Sequence, residues 1–151
     1  MLVGRDGVQR IRFGNSKELQ LLKSFDEYFD VVRPSRTQQS WVSKLRRFAE
    51  GRKTDLSKIP VALDFCTPFQ QRVLMQCRKI PFGKTLSYGE LASQTSAPRA
   101  ARAVGTAMKK NRCPLVIPCH RVVSSSGIGG YSAADGVSIK RRLLALEGVV
   151  V

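Results

Sequence analysis

The residues best suited to chemistry are a cysteine and the chain's only histidine, adjacent in Ile117-Pro118-Cys119-His120-Arg121-Val122. The thiolate is the reactive form of cysteine. A free thiol ionises only near pH ~8.5, so nucleophilic work at neutral pH needs a base or a positive field. His120 is the candidate base, and Arg121 is part of the candidate field. Pro118 lacks an amide hydrogen and fixes its own φ, which stiffens the turn that presents Cys119. The pair alone favours a plainer reading, a buried structural cysteine beside a partly exposed histidine. Adjacent side chains point in different directions on a strand or helix, so sequence adjacency is not contact. What surrounds the pair decides.

At 151 residues, with 42% hydrophobic and 25% charged residues, the chain suits one good core, or two small subdomains sharing one. No apolar run approaches the length of a membrane span. The first residues, Met1-Leu2-Val3-Gly4-Arg5-Asp6, lack the apolar stretch of a secretory signal, so a cytoplasmic protein is expected. In that setting disulfides are not expected, and Cys66, Cys77 and Cys113 are most simply small core residues. No two cysteines have C-x-x-C spacing, and one histidine cannot complete the usual mixed Cys/His zinc pattern, so no metal is expected. The net charge of +15 is uneven. Residues 1–66 carry 13 Lys and Arg against 8 Asp and Glu, whereas residues 67–151 carry 13 against 3. A polyanion would therefore bind the C-terminal part.

Along the chain, Arg5-Asp6-Gly7 reads as a turn and Ile11-Arg12-Phe13 as the end of a strand. Residues 14–33 read as a helix with Leu19, Leu22, Phe25, Phe29 and Val32 on one face, stopped by Pro34. Residues 35–39 read as a polar linker. A helix over 40–50 follows, with Trp41, Leu45 and Phe48 on one side and Gly51 past its end. Residues 59–65 read as a strand. Thr67-Pro68-Phe69-Gln70 then opens a helix with a capping box and proline at its first position, burying Phe69, Val73, Leu74 and Cys77. Ser87-Tyr88-Gly89-Glu90 is a second capping box, opening a helix over 88–93. Ser96 is the expected cap of a helix over 97–110. That helix has a small-residue inner face of Ala100, Ala101, Val104, Ala107 and Met108. Arg99, Arg102, Thr106 and Lys109 fall on another face. Two helices joined tightly, the second with a basic outer face, read as a helix-turn-helix. The last helix, over 138–147, is expected to turn Ile139, Leu143 and Leu146 inward and Lys140, Arg141 and Arg142 outward.

Taken together, these stretches resemble the O6-alkylguanine-DNA alkyltransferases. The resemblance is carried by Thr67-Pro68-Phe69-Gln70, by Ile80-Pro81-Phe82-Gly83-Lys84-Thr85-Leu86-Ser87-Tyr88-Gly89-Glu90, and by Arg102-Ala103-Val104-Gly105 with Asn111. It continues through Pro118-Cys119-His120-Arg121-Val122, Gly129-Gly130-Tyr131-Ser132 and Leu143-Leu144-Ala145-Leu146-Glu147-Gly148. They occur in the family's order over about 67–148. The resemblance implies single-turnover DNA repair: an alkyl group moves irreversibly from O6 of guanine, with O4-alkylthymine as an open second substrate, onto Cys119. No cofactor is implied. The helix-turn-helix would enter the minor groove and the damaged nucleotide would be flipped out, because a group in a protein cleft cannot reach a stacked base.

By the same resemblance Cys119 is the nucleophile, His120 the base acting through a water, and Glu147 the group that orients His120. Arg102 fills the gap left by the flipped base. Tyr88 helps rotate the nucleotide and hydrogen-bonds guanine N3, and Asn111 is the hinge into the active-site turn. Arg99, Ala103, Thr106, Lys109 and Arg121 complete the DNA-binding surface, and Pro114, Val122, Tyr131 and Ser132 line the base pocket. The partner implied is double-stranded DNA carrying O6-alkylguanine, met by a monomer with cooperativity on DNA left open, in the cytoplasm at the nucleoid, or in a nucleus. The expected architecture is a small α/β N-terminal unit, 1–66, followed by a mainly α domain, 67–151, with a winged-helix-like helix-turn-helix. Two features depart from the family: the N-terminal unit is short, and residues 133–137 lengthen a pocket loop by about two positions. The rival readings are a non-catalytic damage-binding protein, a Cys-His hydrolase and a DNA-binding regulator.

Overall fold

The computed structural model describes residues 1–4, 6–11, 35–132 and 136–150. The expected helix over 14–33 lies outside them, as do Arg12, Phe13 and most of the 133–137 loop. A short antiparallel hairpin, β1 (Leu2–Gly4) and β2 (Gly7–Arg10), opens the chain, with Val3 opposite Val8. Gly7 turns it at φ +135°, where a Cβ would also sit 2.7 Å from the Pro60 main chain. The strand expected over 59–65 is a single bridge, Val61 to Val8. Pro60 explains this, because it accepts from Val8 N (2.8 Å) but has no amide to extend a ladder. Ile11 N donates to Arg112 O (2.8 Å), which ties the N-terminal segment to the loop before the reactive turn.

Helix α1 (Arg36–Ala49) begins earlier than expected. Ser35 and Gln38 form a reciprocal capping box, so the supposed linker is the first helical turn. Phe48 is its fully buried residue. Helix α2 (Pro68–Cys77) starts on the Thr67–Gln70 box and buries Val73, Leu74 and Cys77 completely. Arg78, just past its end, donates to the carbonyls of Ser57 and Ile59, holding the incoming loop to the helix.

Strand β3 (Leu86–Ser87) pairs in parallel with β4 (Val122–Val123), Leu86 opposite Val122. This two-residue ladder sets the start of helix α3 (Tyr88–Gln94) beside the chain that leaves Cys119. Ser87 and Glu90 cap α3 as expected. Helix α4 (Ala101–Lys109) starts four residues later than expected, and Ser96 does not cap it. Pro98 disfavours helical geometry at Ala97, and Ser96 takes φ 59°, so residues 96–100 form a connecting turn. Val104, Ala107 and Met108 face inward.

Helix α5 (Gly136–Leu146) has the expected period but a different phase. Its buried face is Lys140, Leu143, Leu144 and, just beyond, Glu147. Leu146, expected inward, is 41% exposed, and Lys140, expected outward, is 0% exposed. A hydrophobicity count puts any lysine outside, which rotated the face by about one position. One core cluster joins Val8, Ile11 and Phe48 of the N-terminal part to Val73, Ile117 and Leu143 of the rest. Two small two-stranded sheets and five helices thus surround a single core among the described residues. No helix among these is long and apolar enough to cross a membrane.

Candidate active site

The reactive turn is built from the chain after α4. Leu115 takes φ 73°, rare for a side chain with a Cβ, and reverses the chain so that Ile117 N reaches Cys113 O at 2.9 Å. A single 3₁₀ turn (Cys119–Arg121) follows Pro118. Asn111 braces it from inside: its Oδ1 accepts from Cys113 N (2.9 Å), while Nδ2 donates to Ile117 O (2.9 Å) and to Cys119 Sγ (3.1 Å). The Tyr131 hydroxyl lies 3.9 Å from the same sulfur.

Cys119 is 8% exposed. Burial pushes its thiol up. Contacts from Asn111 and Tyr131 and the charge of Lys140 pull it back only in part, so it stays above its ordinary range. The sulfur is therefore a thiol at neutral pH until a base takes its proton. Burial and the neighbouring Cys119 also keep the Tyr131 hydroxyl protonated.

The candidate base is the next residue in the chain. His120 is fully buried, with Nε2 2.8 Å from Glu147 Oε1. Glu147 also takes Arg121 Nε (2.9 Å to Oε2), Arg121 Nη2 (2.9 Å to Oε1) and Gly83 N (3.0 Å). Burial alone would raise this carboxyl, but the bonds from His120, Arg121 and Gly83 outweigh it and hold it at about 2. Burial lowers His120, with Arg121 and Lys140 adding to that, and Glu147 only partly compensates. The ring is thus neutral near pH 7. A permanently charged carboxylate on Nε2 fixes the proton there and leaves the Nδ1 lone pair as the ring's acceptor. Nδ1 is buried and bonds to no protein group. The arrangement can accept one proton at Nδ1 and stabilise the resulting imidazolium through Glu147.

Arg121 needs correction. Expected on the DNA-binding surface, it is 7% exposed, with its guanidinium spent on Glu147 and on Ile80 O (2.6 Å). Its place is inside, because there it neutralises the buried carboxylate of Glu147. Lys140, which sequence reading put outside, also belongs to this cluster. The clue was available: Lys140 lies seven residues before Glu147, on the same helical face.

The outer face is as expected. Arg99, Arg102, Ala103, Thr106 and Lys109 are all exposed, on α4 or the turn leading into it. Tyr88 is half-buried between two glycines, Gly105 of α4 and Gly129. A side chain at Gly129 would come within 3.2 Å of its ring. The Tyr88 hydroxyl donates to Gly130 O (3.3 Å). Of the expected pocket residues, Tyr131 reaches the sulfur, Pro114 and Val122 are buried beside the turn, and Ser132 is exposed.

Residues 68–149 match the family model described as 6-O-methylguanine DNA methyltransferase, DNA binding domain. The methylated-DNA–protein-cysteine methyltransferase of Metallosphaera sedula is 42% identical over 108 residues, 72% of this chain and 66% of that protein. The crystal structure of Mycobacterium tuberculosis OGT in complex with DNA superposes with a TM-score of 0.66 at 39% identity, covering 78% of this chain and 74% of that one. The O6-methylguanine-DNA methyltransferase from the hyperthermophilic archaeon Pyrococcus kodakaraensis superposes with a TM-score of 0.74 at 29% identity, covering 97% and 89%.

Proposed function

The chain belongs to the 6-O-methylguanine DNA methyltransferase family, and on that premise we propose that it repairs O6-alkylguanine in double-stranded DNA by moving the alkyl group, once, onto Cys119. The observation that carries this reading is the neutral, Glu147-anchored His120 beside a thiol that needs a base. In the step, the Cys119 proton passes to His120 Nδ1 through a bridging water. The thiolate attacks the carbon on O6, an S–C bond forms and the C–O6 bond breaks. The electron pair leaves with guanine, which accepts a hydrogen bond at N3 from the Tyr88 hydroxyl. The product is a thioether with no leaving group, so the protein does not turn over.

Helix α3, the 95–100 connector and α4 act as a winged-helix-like helix-turn-helix in the minor groove, within a working unit of residues 67–151 that shares its core with 1–66. Arg102 fills the space of the flipped nucleotide, while Arg99, Ala103, Thr106 and Lys109 meet the backbone. Asn111 hinges α4 to the reactive turn, and Pro114, Val122, Tyr131 and Ser132 wall the base pocket. The protein acts where the DNA is, at the nucleoid or in a nucleus.

The test is a titration with duplex DNA containing O6-methylguanine, counting repaired guanines per protein molecule. Repair should stop at one equivalent. Binding without repair would mark a damage-binding protein, and repair beyond one equivalent a hydrolase.

A further inference from the structure

Helix α5 carries a charge that the transfer step above does not use. Lys140 is 0% exposed, and lysine is almost never fully buried unless paired. Among the described residues no carboxylate pairs with it, since Glu147 is engaged by His120 and Arg121. Instead Nζ donates to two main-chain carbonyls, Val122 O at 2.6 Å and Gly130 O at 3.2 Å, and lies 5.9 Å from the centre of the Tyr88 ring. These carbonyls belong to separate pieces of the site. Val122 follows the turn that bears Cys119, and Gly130 precedes Tyr131, whose hydroxyl meets the sulfur. Gly130 O also accepts from Tyr88. One ammonium therefore gathers three segments around one sulfur.

We propose that Lys140 is a positioning residue for the transfer: its ammonium clamps the Val122 and Gly130 carbonyls together and supplies the positive charge against which Cys119 ionises. The inference rests on the reading of Cys119 as alkyl acceptor. Three titratable groups face Lys140 from other elements. Cys119 is favoured as thiolate by its charge, His120 is disfavoured as imidazolium, and Tyr88 presents its ring. Arg141 and Arg142 on its own helix point to solvent.

Burial lowers Lys140 to about 8, with Cys119 acting in the opposite sense. The charge is thus present at neutral pH and lost as pH rises through that value, while the thiol needs higher pH to ionise. Alkylation leaves a thioether that cannot ionise, so Lys140 loses the thiolate that would otherwise hold its proton at alkaline pH and should give that proton up more readily.

The experiment measures carbamidomethylation of Cys119 by iodoacetamide across the neutral-to-alkaline range, located by peptide mass. It compares the protein with Lys140→Met and Lys140→Gln. Neither charge nor clamp survives in Lys140→Met, whereas Gln can still donate to a carbonyl. Both should slow Cys119 at neutral pH, where Lys140 is charged, by about tenfold, the difference shrinking as pH rises past about 8, with Gln closer to the parent in melting temperature. Unmoved profiles in folded variants overturn the proposal. If neither variant folds, the Lys140 Cε resonance is titrated in the unsubstituted protein before and after alkylation by iodoacetamide. A midpoint that falls on alkylation supports the coupling, and one that stays put overturns it. Iodoacetamide needs no DNA, so failure of repair with a shifted profile sinks the function reading and leaves only the coupling of Lys140 to Cys119, whereas repair with an unshifted profile sinks the role of Lys140 alone.

Discussion

Two regions use the same side-chain chemistry under opposite conditions. On α4 and its leading turn, Arg99, Arg102 and Lys109 stand in solvent, where charges keep their hydration and act on a partner over a screened distance. Inside, Arg121, Lys140, His120 and Glu147 are all under 8% exposed, and each must be satisfied by another group of the fold. The contrast teaches that this chain's positive charge is not one feature. Part of it searches for a polyanion, and part of it sets proton positions around one sulfur. Arg121 and Lys140 look like more of the first in a charge count and belong to the second.

The sharpest break between the regions is Cys119→Ser. It should abolish alkyl transfer and leave DNA affinity unchanged, as read by single-turnover repair and by anisotropy on the same duplex. Next is Glu147→Ala, which leaves Arg121 and His120 buried without their carboxylate. Loss of one partner of a buried pair costs about 3–5 kcal/mol, measurable as a lower urea midpoint. Arg102→Ala on the outer face should stay within about 0.5 kcal/mol of the parent. Comparable losses from the two would erase the distinction between inner and outer charge.

Acid should find the inner cluster as well. His120 is held below its ordinary 6.5 and Glu147 at about 2, below its ordinary 4.5. A depressed folded value stabilises above the ordinary one and loses that stability as pH falls. Stability should therefore decline below about 6.5 and again below about 4.5, and Glu147→Gln should flatten the second decline. Smaller effects lie outside. Arg102→Ala should slow repair of duplex DNA more than of the free alkylated base, and equal slowing would deny it a flipping role. Lys109→Ala should weaken binding at all sequences and reduce the salt slope by about one.

How much of this the sequence discloses depends on the kind of signal. Local chemistry is legible: Thr67–Gln70 and Ser87–Glu90 cap helices where the pattern puts them. Ser35–Gln38 is the same pattern, and it makes the polar stretch 35–39 a helix start rather than a linker. Pro60 in the supposed strand 59–65 and Pro98 before the supposed start of α4 were also visible, and each acts through the hydrogen or the angle it removes. Cys119 and His120 stand out by residue type, Glu147 and Asn111 come from the resemblance, and the fold joins the four as two hydrogen-bonded pairs, Asn111 with Cys119 and His120 with Glu147. What sequence supplies only indirectly, as in the seven-residue spacing of Lys140 and Glu147, is which charges are inside. That depends on a carboxylate or carbonyl arriving from a distant element, as Glu147 does for Arg121 and Val122 for Lys140.

Under the proposed function, one sulfur among four buried cysteines is the acceptor. Peptide-level mass spectrometry after incubation with excess O6-methylguanine duplex tests it directly. A single methyl on Cys119, with Cys66, Cys77 and Cys113 unmodified, is the predicted result. An unmodified Cys119, or a methyl on any of the other three, contradicts the account.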